Sequence, residues 1–256
     1  MTVFLPSLKW PDPKRVNRAL FGAYYEEDIY DRFCTAVPGV MRLFRGRIPA
    51  AMRARNLIFV HVPRVAGTSI STALYGPSTT HHQSARYFRA LDPAFFARAG
   101  SFALLRDPFD HVASGFGFIR AQGASDCSLS RVFAEQTAHI RTVDDYLSFI
   151  EGRGTFDLDF TMRPQSWFVC DLKSGRPLVK NLFLYGEDST ALAAYLNSYG
   201  VASLPWLNRG DRAPLDLTER QRARIRAIYA QDFALIESVR AARLAGQGCG
   251  TVVAAE

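Results

Sequence analysis

Lysine is scarce in this chain. Lys9, Lys14, Lys173 and Lys180 are the only ones, although the formal net charge is +7. The basic excess is therefore arginine, which stays protonated and grips phosphate or sulfate through two parallel hydrogen bonds. Such a balance favours anionic partners without naming one. Cysteine is also sparse: Cys34, Cys127, Cys170 and Cys249 lie far apart, with no C-x-x-C pair. That spacing suggests neither a disulfide framework nor a zinc site, and it suits buried or idle thiols. No apolar run approaches the roughly 20 residues of a membrane span. The opening MTVFLPSLKWPDPKR lacks the basic and apolar regions of a secretion signal, so the expected location is cytoplasmic. No internal repeat is visible.

What is present is enough apolar material, 48% of 256 residues, for one sizeable core. Strand and helix patterns alternate. Asn56–Val62 and Ser101–Leu105 read as buried strands, each followed by a helix, over Thr68–Tyr75 and from Pro108 to about Ile119. Ser84–Leu91 reads as helix. Asp92-Pro93 is a helix cap followed by proline at the first helical position, opening a helix to Ala99. Thr142 caps a helix through Ile150. Trp167–Cys170 and Leu178–Tyr185 read as strands, and Ser189–Tyr199 as a helix stopped by Gly200. Thr218 and Gln221 form a capping box for one long helix to about Leu244.

Elsewhere the patterns predict irregular chain. Pro6, Pro11 and Pro13 discourage regular structure at the start, before helical spacing over Ala23–Cys34. Arg42, Arg45, Arg47, Arg53 and Arg55 form a basic run, read as a solvated approach to the core. Residues 76–83 and 151–165 read as loops, and 121–140 as a mobile polar insertion. The fold class is α/β, with a mostly parallel central sheet flanked by helices. The chain divides into an N-terminal extension, partly helical, over 1–55, a main domain over 56–244, and a disordered tail over 245–256.

The most informative stretch is NLIFVHVPRVAGTS, residues 56–69. A buried strand ends, the backbone turns, and a helix begins with its unpaired N–H groups facing the turn. Arg64, Thr68 and Ser69 add one cation and two hydroxyls. The loop has one glycine, Gly67, and no lysine, so it is not a Walker A motif. It is either an anion cradle or an ordinary strand-to-helix turn capped by Thr68. A second strand-end loop follows in FALLRDPFDHVAS, with Arg106 at the strand end and Ser114 in the next helix. Ligands in parallel sheets bind at these carboxyl ends. Arg106 would hold a second anion there, or pair with Asp107 or Asp110 structurally.

Taken together, the two loops resemble those of sulfotransferases that use 3'-phosphoadenosine 5'-phosphosulfate (PAPS). HVPRVAGTS is similar to their 5'-phosphosulfate loop and RDPFDHVASGF to their 3'-phosphate motif. The nearest resemblance is to the carbohydrate-type, family-2 enzymes. HHQSARYFRALDP, RPQSWFVCD, LVKNLFLYGED, LPWLNRG and IYAQDF agree more softly, so the likeness runs from about Asn56 to Phe233. It implies a P-loop-like three-layer fold, with PAPS as co-substrate, no metal, and a hydroxyl-bearing acceptor, typically carbohydrate. It assigns Arg64, Val65, Ala66, Gly67, Thr68 and Ser69 to the sulfate and 5'-phosphate, and Arg106 and Ser114 to the 3'-phosphate. His82 falls on a histidine that serves as catalytic base in some members. Three positions depart from the family pattern: Arg64 replaces a usual lysine, Val65 a usual threonine, and His111 a usual arginine.

The implied reaction is in-line attack of an acceptor hydroxyl on sulfur. Arg64 and the loop N–H groups would stabilise developing charge, and a histidine would take the proton. An unperturbed histidine titrates near pH 6.5, close to the ideal for that role. His82 is the first choice and His81 its neighbour. His61 would orient the loop from a buried place. His111 reads as a helix-surface or core residue, His139 as a solvated one, and Glu187 as structural. Two rival classes remain: a kinase-like transferase with a degenerate loop, and a non-catalytic binder of anionic sugars or nucleic acid. Aromatic and basic residues interleave too little to favour nucleic acid.

Overall fold

The computed structural model describes residues 12–36, 48–76, 82–124, 127–203 and 215–245. Its centre is a three-stranded parallel sheet of β1 (Leu57–Phe59), β2 (Gly100–Leu105) and β5 (Asn181–Leu184), in the order β1-β2-β5. Leu57 pairs with Gly100 and Phe59 with Phe102; Phe102 pairs with Asn181 and Leu105 with Leu184. Nearly every strand residue is buried, as expected for a parallel sheet covered on both faces. The mixed α/β class and the parallel sheet flanked by helices agree with the sequence.

The chain between β1 and β2 forms α4 (Gly67–Tyr75), α5 (Ala85–Leu91) and α6 (Pro93–Arg98). Ser84 caps α5 by accepting the Tyr87 N–H, and Asp92 caps α6 by accepting the Phe95 N–H. Between β2 and β5 lie α7 (Pro108–Arg120), the short antiparallel pair β3 (Gly123–Ala124) and β4 (Cys127–Ser128), α8 (Arg131–Thr137), α9 (Val143–Glu151) and α10 (Ser166–Val169). α11 (Ser189–Asn197), α12 (Glu219–Ile228) and α13 (Ala230–Leu244) follow β5.

Two apolar clusters form among the described residues. One surrounds the sheet and includes Phe59, Phe102, Phe183 and Phe168. The other, with Val112, Phe118, Phe133, Tyr146, Ile225 and Tyr229, joins α7, α8, α9 and α12.

Before β1, α1 (Pro13–Phe21), α2 (Glu26–Ala36) and α3 (Ala50–Arg55) precede the sheet. Two buried ion pairs tie α2 to the rest. Asp28 accepts from Arg163 at 2.6 and 2.7 Å, and Asp31 accepts from Arg86. Arg163 is wholly buried, with its guanidinium over the Phe160 and Trp167 rings.

Four expectations need correction. Pro13 opens α1 rather than disrupting it: Asp12 caps the helix, and proline suits a first turn that needs no N–H donor. Residues 131–137 of the supposed insertion are helical, and Val132 and Phe133 are buried in the core. Trp167–Val169 belongs to a helix, because an apolar run this short carries no period that separates strand from helix. The long terminal helix breaks at Tyr229, whose φ of −108° and ψ of 26° end α12, while its hydroxyl donates to the Met162 carbonyl. The Thr218–Gln221 capping box itself is present. In the basic run, Arg53 pairs with Asp92 and Arg55 donates to the Tyr199 carbonyl. The rest of that run, His81, LPWLNRG and the tail beyond residue 245 lie outside the described residues.

Candidate functional site: two strand-end loops joined by an arginine

β1 and β2 are adjacent and parallel, so the loops leaving their carboxyl ends emerge side by side. The β1 loop runs through His61, Val62 and Pro63 into the turn at 64–66. Arg64 and Ala66 both occupy left-handed backbone, with φ of 66° and 61°. Non-glycine residues there cost of the order of 1 kcal/mol or more each, a strain that clusters at ligand sites. Ala66 is the residue before α4 and supplies no side-chain cap. Thr68 lies inside the helix, so a turn capped by Thr68 does not form. An alanine in that place leaves the helix start to its backbone N–H groups and positive dipole end.

Gly67 is required by a close approach. A Cβ there would fall 1.8 Å from His61 Cδ2. The His61 ring thus fills the space beneath the helix start. It also stacks on Phe59 and lies 4.4 Å, centroid to centroid, from the His82 ring. Burial, and secondarily the charge of His82, hold the His61 pKa well below the usual 6.5. His82 is half-buried, and its Nδ1 lies 3.1 Å from the His61 carbonyl oxygen. A carbonyl only accepts, so Nδ1 carries the proton and the basic lone pair belongs to Nε2.

The β2 loop places Arg106 beside α7. Asp107 caps that helix by accepting the Phe109 N–H at 2.8 Å, so it is spent on the backbone. Asp110 lies 3.7 Å from Arg106 Nε and is mostly exposed, a loose pair. The Arg106 guanidinium lies 5.2 Å above the Tyr185 ring, and its buried Nε has no hydrogen-bond partner among the described residues. Ser114 is buried one face-repeat further along α7.

The loops meet through Arg64. Its Nε donates to Ser114 Oγ at 3.2 Å, and its guanidinium lies over Phe118 of α7 at 4.9 Å. Arg64 and Ser114 are thus brought together, a contact that the sequence did not suggest. Ser114, paired in the sequence reading with Arg106, accepts from the arginine of the first loop. Between the loops sits His111, buried, with neither ring nitrogen in hydrogen-bond geometry among the described residues. Its pKa is pushed down to about 4, first by burial and then by the Arg106 and Arg64 charges, against a pull from the nearby Pro63 carbonyl. A neutral ring there adds no third positive charge beside the two guanidiniums.

His139 is exposed, and Glu187 pairs with Arg240 at 2.6 Å, so both match their structural assignments. Sequence reasoning missed Gln165 and Asp232, both buried behind Arg106. Their only signal was the soft agreement of RPQSWFVCD and IYAQDF with a family pattern.

His111 carries a testable pH dependence. Its folded pKa is depressed, so its stabilising contribution is complete above pH 6.5 and is lost as pH falls towards about 4. Through that window it contributes a slope of about 1.4 kcal/mol per pH unit. Melting curves of His111→Gln should show a shallower acid decline than the unaltered protein; an identical decline contradicts the assignment.

No family model, curated protein or solved structure matches this chain. The functional reading therefore rests on the residues and their geometry.

Proposed function

We propose that this chain is a PAPS-dependent sulfotransferase acting on a hydroxyl acceptor, with carbohydrate as the favoured class. The observation that carries the reading is the link between the two loops. Arg64, in a left-handed cradle at the uncapped start of α4, reaches Ser114 of the helix that follows Arg106. One cradle fits a single terminal anion. Two cradles on neighbouring strand ends fit a ligand with anions at the 5' and 3' positions of one ribose, as PAPS has. A P-loop-like three-layer fold, cytoplasmic residence and independence from metal belong to the same proposal.

The reaction balances without a further reagent. The acceptor oxygen bonds to sulfur as the bond from sulfur to the bridging oxygen breaks. The electron pair leaves on adenosine 3',5'-bisphosphate, and the acceptor proton goes to His82 Nε2. Arg64 and the N–H groups at the α4 start supply positive charge where it develops. Arginine in place of lysine keeps that charge, but spreads it over a plane that already touches Ser114 and Phe118. His61 sets the tautomer of His82 through its carbonyl and supports Gly67 with its ring, so base and cradle share one support.

The test is sulfuryl transfer from PAPS to a panel of carbohydrate hydroxyls. His82→Ala is expected to lower kcat by about 10²- to 10⁴-fold, the usual worth of a general base. Bisphosphate affinity should stay within about twofold, because the base touches the acceptor side. No transfer by the unaltered protein, or full turnover in His82→Ala, contradicts the reading.

A further inference from the structure

Arg106 is held by its backbone as well as by what its side chain touches. β2 ends at Leu105, whose carbonyl takes the last strand hydrogen bond, from the Tyr185 N–H at 2.7 Å. On the other side, the β1 chain makes its last bond to β2 at Phe102, from the Val60 N–H. Neither neighbouring strand therefore extends to Arg106. Its N–H and carbonyl are instead taken by one side chain. Gln165 Oε1 accepts the Arg106 N–H at 2.8 Å, and Gln165 Nε2 donates to the Arg106 carbonyl at 2.7 Å. An amide side chain here does the work of a fourth strand, one residue long.

Gln165 is fixed in turn. Its own N–H and that of Ser166 donate to the two carboxylate oxygens of Asp232, both at 2.8 Å. Gln165 and Asp232 are each about 1% exposed. Burial pushes the Asp232 pKa up, while these hydrogen bonds oppose that shift. The chain of contacts runs from α13, through the start of α10, to the end of β2. Every link is a pair of hydrogen bonds, so no link rotates freely.

We infer that Gln165, braced by Asp232, is a positioning residue for Arg106. It sets where the guanidinium leaves the backbone, and so the spacing between the second anion grip and the Arg64 cradle. The ligand in this statement rests on the sulfotransferase reading; the geometry does not. Neither residue touches the cradle, so neither is catalytic.

The experiment is a double-mutant cycle read by titration with adenosine 3',5'-bisphosphate, together with amide hydrogen exchange at Arg106. Gln165→Met keeps length and burial but removes both hydrogen bonds. It should weaken binding by about tenfold or more, since small misplacements of a binding group have large effects. The Arg106 amide should exchange about tenfold faster as local opening becomes easier. In an Arg106→Ala background, the same Gln165→Met change should alter affinity by less than about twofold, because its effect passes through Arg106. An equal affinity loss in both backgrounds, or unchanged exchange at Arg106, overturns the inference. If Gln165→Met does not fold, Gln165→Glu serves. It keeps the acceptor for the Arg106 N–H and loses the donor to its carbonyl, so a smaller acceleration of exchange is expected and none contradicts. If the unaltered protein binds no bisphosphate, the sulfotransferase reading fails and the exchange comparison alone decides the positioning role.

Discussion

Replacing Arg106 with alanine should weaken binding of adenosine 3',5'-bisphosphate by about 100-fold. The estimate assumes two charge-assisted hydrogen bonds to one phosphate, each worth about 1.5 kcal/mol, hence about 3 kcal/mol in all. The guanidinium is well prepared for that task. It lies over Tyr185, its backbone is held on both sides by Gln165, and its nearest carboxylate, Asp110, is loosely placed and mostly exposed. Losing a partly exposed ion pair of this kind changes stability by about 1 kcal/mol at most. Affinity should therefore fall while the melting temperature barely moves. Calorimetric titration beside a melting curve checks both. Affinity within threefold of the unaltered protein would remove Arg106 from the site.

The second large effect concerns the fold. Asp28→Ala should cost about 3–5 kcal/mol, because it strands a wholly buried guanidinium. Arg163 donates to both Asp28 oxygens and to the Leu158 carbonyl, and aromatic rings cover its face. It has no path to water once the carboxylate is gone. Replacing both partners, with Asp28→Leu and Arg163→Met, should recover much of the loss, since a buried pair and a packed apolar pair are often nearly equal. Chemical denaturation of the three variants decides the matter. A cost below about 1 kcal/mol for Asp28→Ala would mean that α2 is not held by this pair. The consequence reaches the site, because the chain from Leu158 to Gln165 joins this pair to the support of Arg106.

Much of this was legible in the chain, and the reasons are local. Asp92-Pro93, Thr142 and Thr218–Gln221 are signals whose physics is contained in three or four residues, and each begins a helix where expected. The two buried runs at 57–59 and 100–105 are strands, and their parallel pairing puts Arg64 and Arg106 on one edge. What was not legible depends on distant partners. The Phe133 helix looks polar in sequence because only one short face of it is buried. The break falls at Tyr229, whose hydroxyl reaches Met162, 67 residues away. His61 beneath Gly67, and Gln165 behind Arg106, are contacts of tertiary structure that no period or spacing encodes. The unusual backbone at Arg64 and Ala66 is likewise invisible, since neither residue type favours left-handed φ.

The most direct test of the two-anion site is a thermal shift of the unaltered protein with adenosine 3',5'-bisphosphate, beside ATP with Mg²⁺. At a hundred times its dissociation constant, a ligand of the folded state stabilises it by about 2.7 kcal/mol. The expected result is a clear rise in melting temperature with the bisphosphate and a smaller one, or none, with ATP. A shift with ATP and none with saturating bisphosphate would contradict a PAPS site at Arg64 and Arg106.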